Sequence, residues 1–236
     1  DPVDQLDRYD RWYREGYRSS TGRCFDIGNT VRTALERYEK TRQPFDAPSG
    51  PNDAGNGSLM RLAPVPLFYA RRPELAIHYA AESSRVTHAA TEAIDACRYF
   101  AALLIGAVSG TSKEEILSDR YAPSTFRWTD PLSSSIQRVA SGSFKNKNRE
   151  EIRSTGYVVD SLEAALWAFQ WSTSFEEGCR LAANLGGDAD TVAAIYGQLA
   201  GAFYGIEGIP VRWRGVLAHR DWLENAARRL YATAHR

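Results

Sequence analysis

The chain has 236 residues, and a compact fold of that length buries roughly 70–75% of its unfolded surface, so a single domain with one substantial core is expected. Its 29 Lys plus Arg balance 29 Asp plus Glu to a formal net charge of zero, which leaves no global field to attract nucleic acid or an anionic membrane. Cys24, Cys97 and Cys179 are an odd count and lie far apart, no apolar run reaches ~18 residues, and Asp1 to Arg11 is charged; these features argue against a disulfide framework, a CxxC metal pair and a transmembrane span, no signal peptide is expected, and a cytoplasmic protein is predicted.

Helical periodicity dominates the chain. Leu6, Tyr9, Tyr13 and Tyr17, then Val31, Ala34, Leu35 and Tyr38, recur at three- and four-residue spacings and predict two amphipathic helices. The Gly/Pro/Asn-rich stretch from Pro44 to Ser58 predicts a long loop, and helices follow over about 73–84 and 88–108, the second capped by Thr87. Ser112 with Glu115, Asp160 with Glu163 and Ser174 with Glu177 each have the spacing of a capping box and mark three helix starts. Another helix is predicted over 133–141, a Lys/Arg-rich loop over 141–153, and further helices over 189–205 and 220–234. Gly197, Gly201 and Gly205 form a small-residue face on the first of these, expected to admit a close helix neighbour. Only Tyr157 to Val159 carries a strand signal, so the predicted fold class is all-α. Trp12, Tyr157, Trp167, Trp171, Tyr196 and Tyr204 stand at helical spacings and are expected mostly in the core, while Arg212, Arg214, Arg220, Arg228, Arg229 and Arg236 read as a solvated face.

Three segments concentrate chemistry. In Asn184-Leu185-Gly186-Gly187-Asp188-Ala189-Asp190-Thr191 the glycines turn the chain, and two carboxylates and a hydroxyl gather at the next helix start, where the positive dipole end favours them. Read structurally this is a C-cap followed by an N-cap; read chemically it offers hard oxygen ligands suited to Mg²⁺ or Mn²⁺. His78, His88, His219 and His235 form no close-spaced ligand pair, so a metal site here must rest mainly on oxygen. In the segment Gly55-Asn56-Gly57-Ser58-Leu59-Met60-Arg61, glycines expose backbone N–H groups, Ser58 can cap a helix and Arg61 adds a fork of donors, which together suit a phosphate. Thr87-His88 places a histidine in a predicted first turn, where only the neutral ring is electrostatically at ease, and a polar contact to a ligand is expected of it.

Taken in order, Asp26-Ile27-Gly28-Asn29-Thr30, Gly55 to Arg61, Thr87-His88, Gly156 to Glu163 and Asn184 to Thr191 resemble the ADP-ribosylglycohydrolase family, over about residues 20 to 205. The resemblance implies a compact orthogonal multi-helix bundle around a two-metal Mg²⁺ or Mn²⁺ centre. It implies hydrolysis of the bond between the anomeric carbon of ADP-ribose and an attached group, on a protein side chain or a small acceptor. Carried over by position, Asp188 and Asp190 would be catalytic, and Asp188, Asp190 and Thr191 metal ligands. Gly55, Asn56, Gly57, Ser58, Met60, Arg61, His88 and Tyr157 would lie against the substrate.

The family also supplies ligands from an early glutamate and a Thr-Asp-Asp-Thr run, and no Thr-Asp-Asp occurs here; Thr129-Asp130-Pro131 is a decoy. With Met60 the only methionine, a preceding segment carrying that half of the site is expected in the parent protein. The alternatives are a non-catalytic ADP-ribose binder or crystallin-like structural relative on the same scaffold, and an all-α metal-dependent phosphohydrolase.

Overall fold

A computed structural model describes residues 1–50 and 52–234. His235, Arg236 of the basic stretch and Pro51 of the first long loop lie outside the described residues. The helices in chain order are α1 (Pro2–Glu15), α2 (Asn29–Thr41), α3 (Gly57–Met60), α4 (Pro64–Phe68), α5 (Pro73–Arg85), α6 (Thr91–Val108), α7 (Lys113–Ile116) and α8 (Ser134–Ala140). After a 3₁₀ turn at Arg149–Glu151 come α9 (Val158–Gln170), α10 (Phe175–Ala183), α11 (Ala189–Gly208), α12 (Val211–Arg214) and α13 (Arg220–Ala234). The fold is all-α: among the described residues there is no strand, only an isolated bridge pairing Gly55 with Tyr157. No described helix is long and apolar enough to cross a membrane.

α6 is the centre of the fold, because a helix apolar on every side has to be surrounded. Its residues from Ala101 to Ala107 are all buried, and α3, α4, α5, α7, α8, α9 and α11 pack on it. α9 is the second inner helix, buried from Val158 to Phe169 except at Asp160, and α10 and α11 close over it. Leu6, Leu35, Tyr38 and Val86 form a smaller cluster where α1 and α2 meet the end of α5.

Ser112 and Ser174 cap α7 and α10 as their spacing predicts, each accepting from the backbone N–H three residues on. Two expected caps are corrected. Thr87 does not start α6, which begins at Thr91 after an extended Ala90; the Thr87 hydroxyl is taken by Arg61 and His88. Asp160 lies inside the first turn of α9, and the Val158 N–H is satisfied by Ala54 O at 3.0 Å across the loops, so no side-chain cap is needed. The Asp160 carboxylate instead accepts from the Thr155 hydroxyl at 2.8 Å. A complete capping box stands at Asn148 and Glu151, within the Lys/Arg-rich loop.

The glycine face of α11 is also corrected. A Cβ on Gly197 or Gly205 would meet nothing within 4 Å, and Gly205 breaks the helix with φ of 70°. The close approach is made by Gly178 of α10, where a Cβ would lie 2.2 Å from the Tyr196 hydroxyl. Of the aromatics expected inside, Trp167 and Tyr196 are buried, whereas Tyr157 and Trp171 are exposed at the two ends of α9, Trp171 by 56%.

Gln198 ties α11 to the short α3. Its Nε2 donates to Leu59 O and Met60 O, both at 3.0 Å, and its Oε1 accepts from the Ala63 N–H. Gln198→Ala strands these backbone groups at a partly buried junction and is expected to lower unfolding free energy by about 1–2 kcal/mol. Urea titration should show a lower midpoint at unchanged slope; an unmoved midpoint would remove Gln198 from the account of how α3 is held.

Candidate functional site

Three segments distant in sequence converge on Asn56. Its Nδ2 donates to Asp188 Oδ2 at 2.6 Å and to Ser161 Oγ at 2.8 Å, while its backbone N–H donates to Gly156 O at 3.1 Å. Asn56 is only 9% exposed, so these bonds form largely out of water, and the one to a carboxylate is charge-assisted. The bridge between Gly55 and Tyr157 fixes the register of the two loops around it.

Asp188 is delivered by the double-glycine turn that ends α10. Gly186 and Gly187 hold φ of 75° and 60°, and a Cβ on Gly187 would lie 2.1 Å from Ser154 O. Both space and backbone conformation therefore demand glycine at 187. The next residue's N–H then donates to that same Ser154 O at 3.2 Å, anchoring the Asp188 backbone. Asp190 is exposed in the first turn of α11, and its carboxylate has no protein partner among the described residues. Thr191 is buried with its hydroxyl against Met60 Sδ at 3.7 Å, which brings the Gly55–Arg61 and Asn184–Thr191 segments together a second time.

On the other side of the turn, His88 is buried against Gly55 and Gly57. A Cβ on Gly57 would lie 3.0 Å from His88 Cε1, and one on Gly55 would lie 3.4 Å from both the ring and Thr30 Oγ1. These glycines serve closeness, since neither has a positive φ. The start of α2, with Thr30 and Val31, thus joins the same wall. Burial, reinforced by the Arg61 cation, pushes the His88 imidazole down to about 3, so the ring is neutral, as expected, although it precedes α6 and does not open it.

Other expected residues have different surroundings. Ser58 caps nothing; it lies buried inside α3, where its Oγ accepts from the Ser84 hydroxyl at 2.8 Å. The Arg61 guanidinium donates to Ser83 O and Thr87 Oγ1 and lies over the Tyr9 ring. Tyr157 is partly exposed at the rim, its hydroxyl donating to Glu92 Oε1 at 2.6 Å; burial and that carboxylate push the phenol up to about 12, so it stays protonated. Glu92, which also accepts from the Ser135 hydroxyl at 2.5 Å, is a rim residue whose place sequence reasoning missed, for no local pattern marks it. Thr129 and Asp130 sit exposed with a mutual contact at 3.4 Å.

The donor chemistry of Asp188, Asp190 and Thr191 suits a hard divalent cation, yet these three side chains supply only about half of the six oxygens that Mg²⁺ takes. Among the described residues, no three His, Cys, Asp or Glu side chains gather as a metal site.

The ADP-ribosylglycohydrolase family model matches residues 1–236. The chain belongs to the ADP-ribosylglycohydrolase family. It is 40% identical over 224 residues to the ADP-ribosylarginine hydrolase Tri1 of Serratia proteamaculans, covering 95% of this chain and 59% of the relative. It is 45% identical to the ADP-ribosylarginine hydrolase Tri1 of Pseudomonas putida, covering 95% and 58%, and 27% identical to the ADP-ribosyl-[dinitrogen reductase] glycohydrolase of Rhodospirillum rubrum, covering 81% and 60%. The chain therefore spans about three-fifths of the length of these curated relatives. A solved structure described as an ADP-ribosylglycohydrolase-related protein complex superposes with a TM-score of 0.83 at 43% identity, over 99% of this chain and 75% of that one.

The neutral histidine of this ADP-ribosylglycohydrolase-family chain gives a pH prediction. A ring that protonates at 6.5 when unfolded but only near 3 when folded adds stability that is complete above pH 6.5 and is lost as the pH falls towards 3. Between pH 7 and 5 this loss amounts to about 2 kcal/mol. His88→Gln should lose correspondingly less stability than the parent over that interval in urea titrations; identical pH slopes would contradict a buried neutral His88.

Proposed function

We propose that the chain carries the substrate-holding core of a hydrolase that cleaves the glycosidic bond at the anomeric carbon of ADP-ribose attached to a protein side chain. The observation that carries this reading is the Asn56 clasp, which draws the glycine turn, the Gly156–Ser161 segment and the Asp188 turn to one point. Arginine as the modified side chain is the narrower proposal, supported by relatives at 40% and 45% identity that are named ADP-ribosylarginine hydrolases.

In this reading the glycine turn takes the diphosphate, because an absent Cβ at 55 and 57 lets ligand and His88 approach the same backbone. His88, neutral throughout the physiological range, offers a hydrogen bond without adding charge. Asp188, oriented by the Asn56 amide, and the unpartnered Asp190 face the developing positive charge of an oxocarbenium-like transition state. Tyr157, its hydroxyl proton given to Glu92, bounds the rim as a neutral phenol. Asp188, Asp190 and Thr191 would hold Mg²⁺ or Mn²⁺, which would supply Lewis acidity and orient the ribose hydroxyls. A reduced cytoplasmic setting is part of the proposal and is compatible with three unpaired cysteines.

Calorimetric titration of ADP-ribose into the chain, with Mg²⁺ and then with chelator, should give micromolar binding that weakens on chelation. Asp188→Asn and Asp190→Asn should each weaken it at least about tenfold, the loss of one good charge-assisted contact, while the thermal midpoint of Asp190→Asn stays near that of the parent. Undetectable binding by the parent chain, or full affinity in both variants, would overturn the assignment.

A further inference from the structure

Arg61 belongs to the segment on which a phosphate contact was expected, yet its guanidinium faces inwards. Nη2 donates to Thr87 Oγ1 at 2.6 Å and to Ser83 O at 3.0 Å, and the group lies 4.7 Å from the Tyr9 ring centroid. Thr87 is fully buried, and its hydroxyl has one further neighbour, His88 Nδ1 at 2.8 Å. A guanidinium can only donate, so the Thr87 oxygen accepts from Arg61. The Thr87 hydroxyl proton then has a single acceptor within reach among the described residues, which is Nδ1. The reverse arrangement, with Nδ1 donating, would bury that hydroxyl proton without a partner, a costly defect.

With Nδ1 accepting, the ring of a neutral histidine carries its proton on Nε2. Nε2 is the nitrogen facing the glycine turn: a Cβ on Gly57 would lie 3.2 Å from it and one on Gly55 3.4 Å. It has no acceptor among the described residues. We propose that Arg61 is a positioning residue which, through the Thr87 hydroxyl, locks His88 in the tautomer protonated on Nε2, so that the ring donates to a diphosphate oxygen of a ligand lying on the Gly55–Gly57 turn. The lock itself stands on the protein's own hydrogen bonds; only the identity of the acceptor rests on the ADP-ribose reading. Arg61 acts without touching the ligand, and a cation two hydrogen bonds away polarises the chain towards a stronger Nε2–H donor.

Nitrogen-detected NMR of ¹⁵N-histidine-labelled protein tests the lock before any ligand is added. The His88 signal, identified by its loss in His88→Gln, should show an unprotonated Nδ1 and a protonated Nε2; the opposite pattern overturns the proposal. Thr87→Val and Arg61→Met should both shift the two nitrogens towards tautomer exchange, whereas Thr87→Ser should keep the parent pattern. Unchanged His88 shifts in Arg61→Met would remove Arg61 from the lock; should that variant not fold, Arg61→Lys, which keeps a cationic donor, should retain the parent pattern, and a tautomer change there overturns the role. ADP-ribose affinity should fall about tenfold in Thr87→Val and recover in Thr87→Ser, the effect of losing one oriented donor. Locked spectra in a parent chain that fails to bind ADP-ribose would overturn the acceptor assignment and the functional reading together, leaving the lock established.

Discussion

One side-chain amide holds the candidate site together. Asn56 sits in a turn directly between Gly55 and Gly57, and its two N–H donors are spent on Asp188 and Ser161, more than a hundred positions away. An amide that donates to a carboxylate forms one of the stronger hydrogen bonds available to a protein, and losing Asp188 leaves a donor of the buried Asn56 amide without its charged partner. The surrounding architecture makes that meeting possible. Gly187 lets the Asp188 turn press against Ser154, the bridge from Gly55 to Tyr157 sets the register of the two loops, and Gln198 pins α3 to α11.

The site that results has two unlike sides. Behind the glycine turn is a largely buried, hydrogen-bonded stack of Ser58, Ser84, Thr87, His88 and Arg61, anchored in the packing of α3, α5 and α6. In front stand the partly exposed Asp188, the exposed Asp190 and the Tyr157–Glu92 pair, open to solvent at the helix starts of α11 and α9. Under the proposed function, the first side would offer fixed donors to a ligand's anionic oxygens and the second carboxylates to a developing positive charge. Buried donors and solvent-exposed carboxylates on opposite sides of one turn would suit the proposed ligand, anionic in its middle and becoming cationic at one end.

Much of this was legible in the sequence because it is local. The period of Val31 to Tyr38, the apolar run within α6 and the Ser112 and Ser174 caps act over three or four residues, and the helices form where those patterns stand. The Gly186–Gly187 turn was legible for the same reason, since positive φ leaves few alternatives to glycine. What failed was long-range. Thr87 has the look of a cap, but a guanidinium from α3's end and the adjacent imidazole claim its hydroxyl. The glycines of α11 have the look of a packing seam, but the neighbour comes close at Gly178. Gln198 and Glu92 carry no local pattern at all; their roles exist only once α11 lies beside α3 and Tyr157 beside α6.

The central claim is that the Asn56 to Asp188 contact energetically unites the site, and a double-mutant cycle reads it most directly. Asn56→Ala, Asp188→Ala and the double variant would be unfolded in urea at pH 7. A coupling of about 1.5–3 kcal/mol between the two positions is predicted, as for a desolvated charge-assisted bond. Effects that add within about 0.5 kcal/mol would show that the two segments are held together by something else, and would contradict the account.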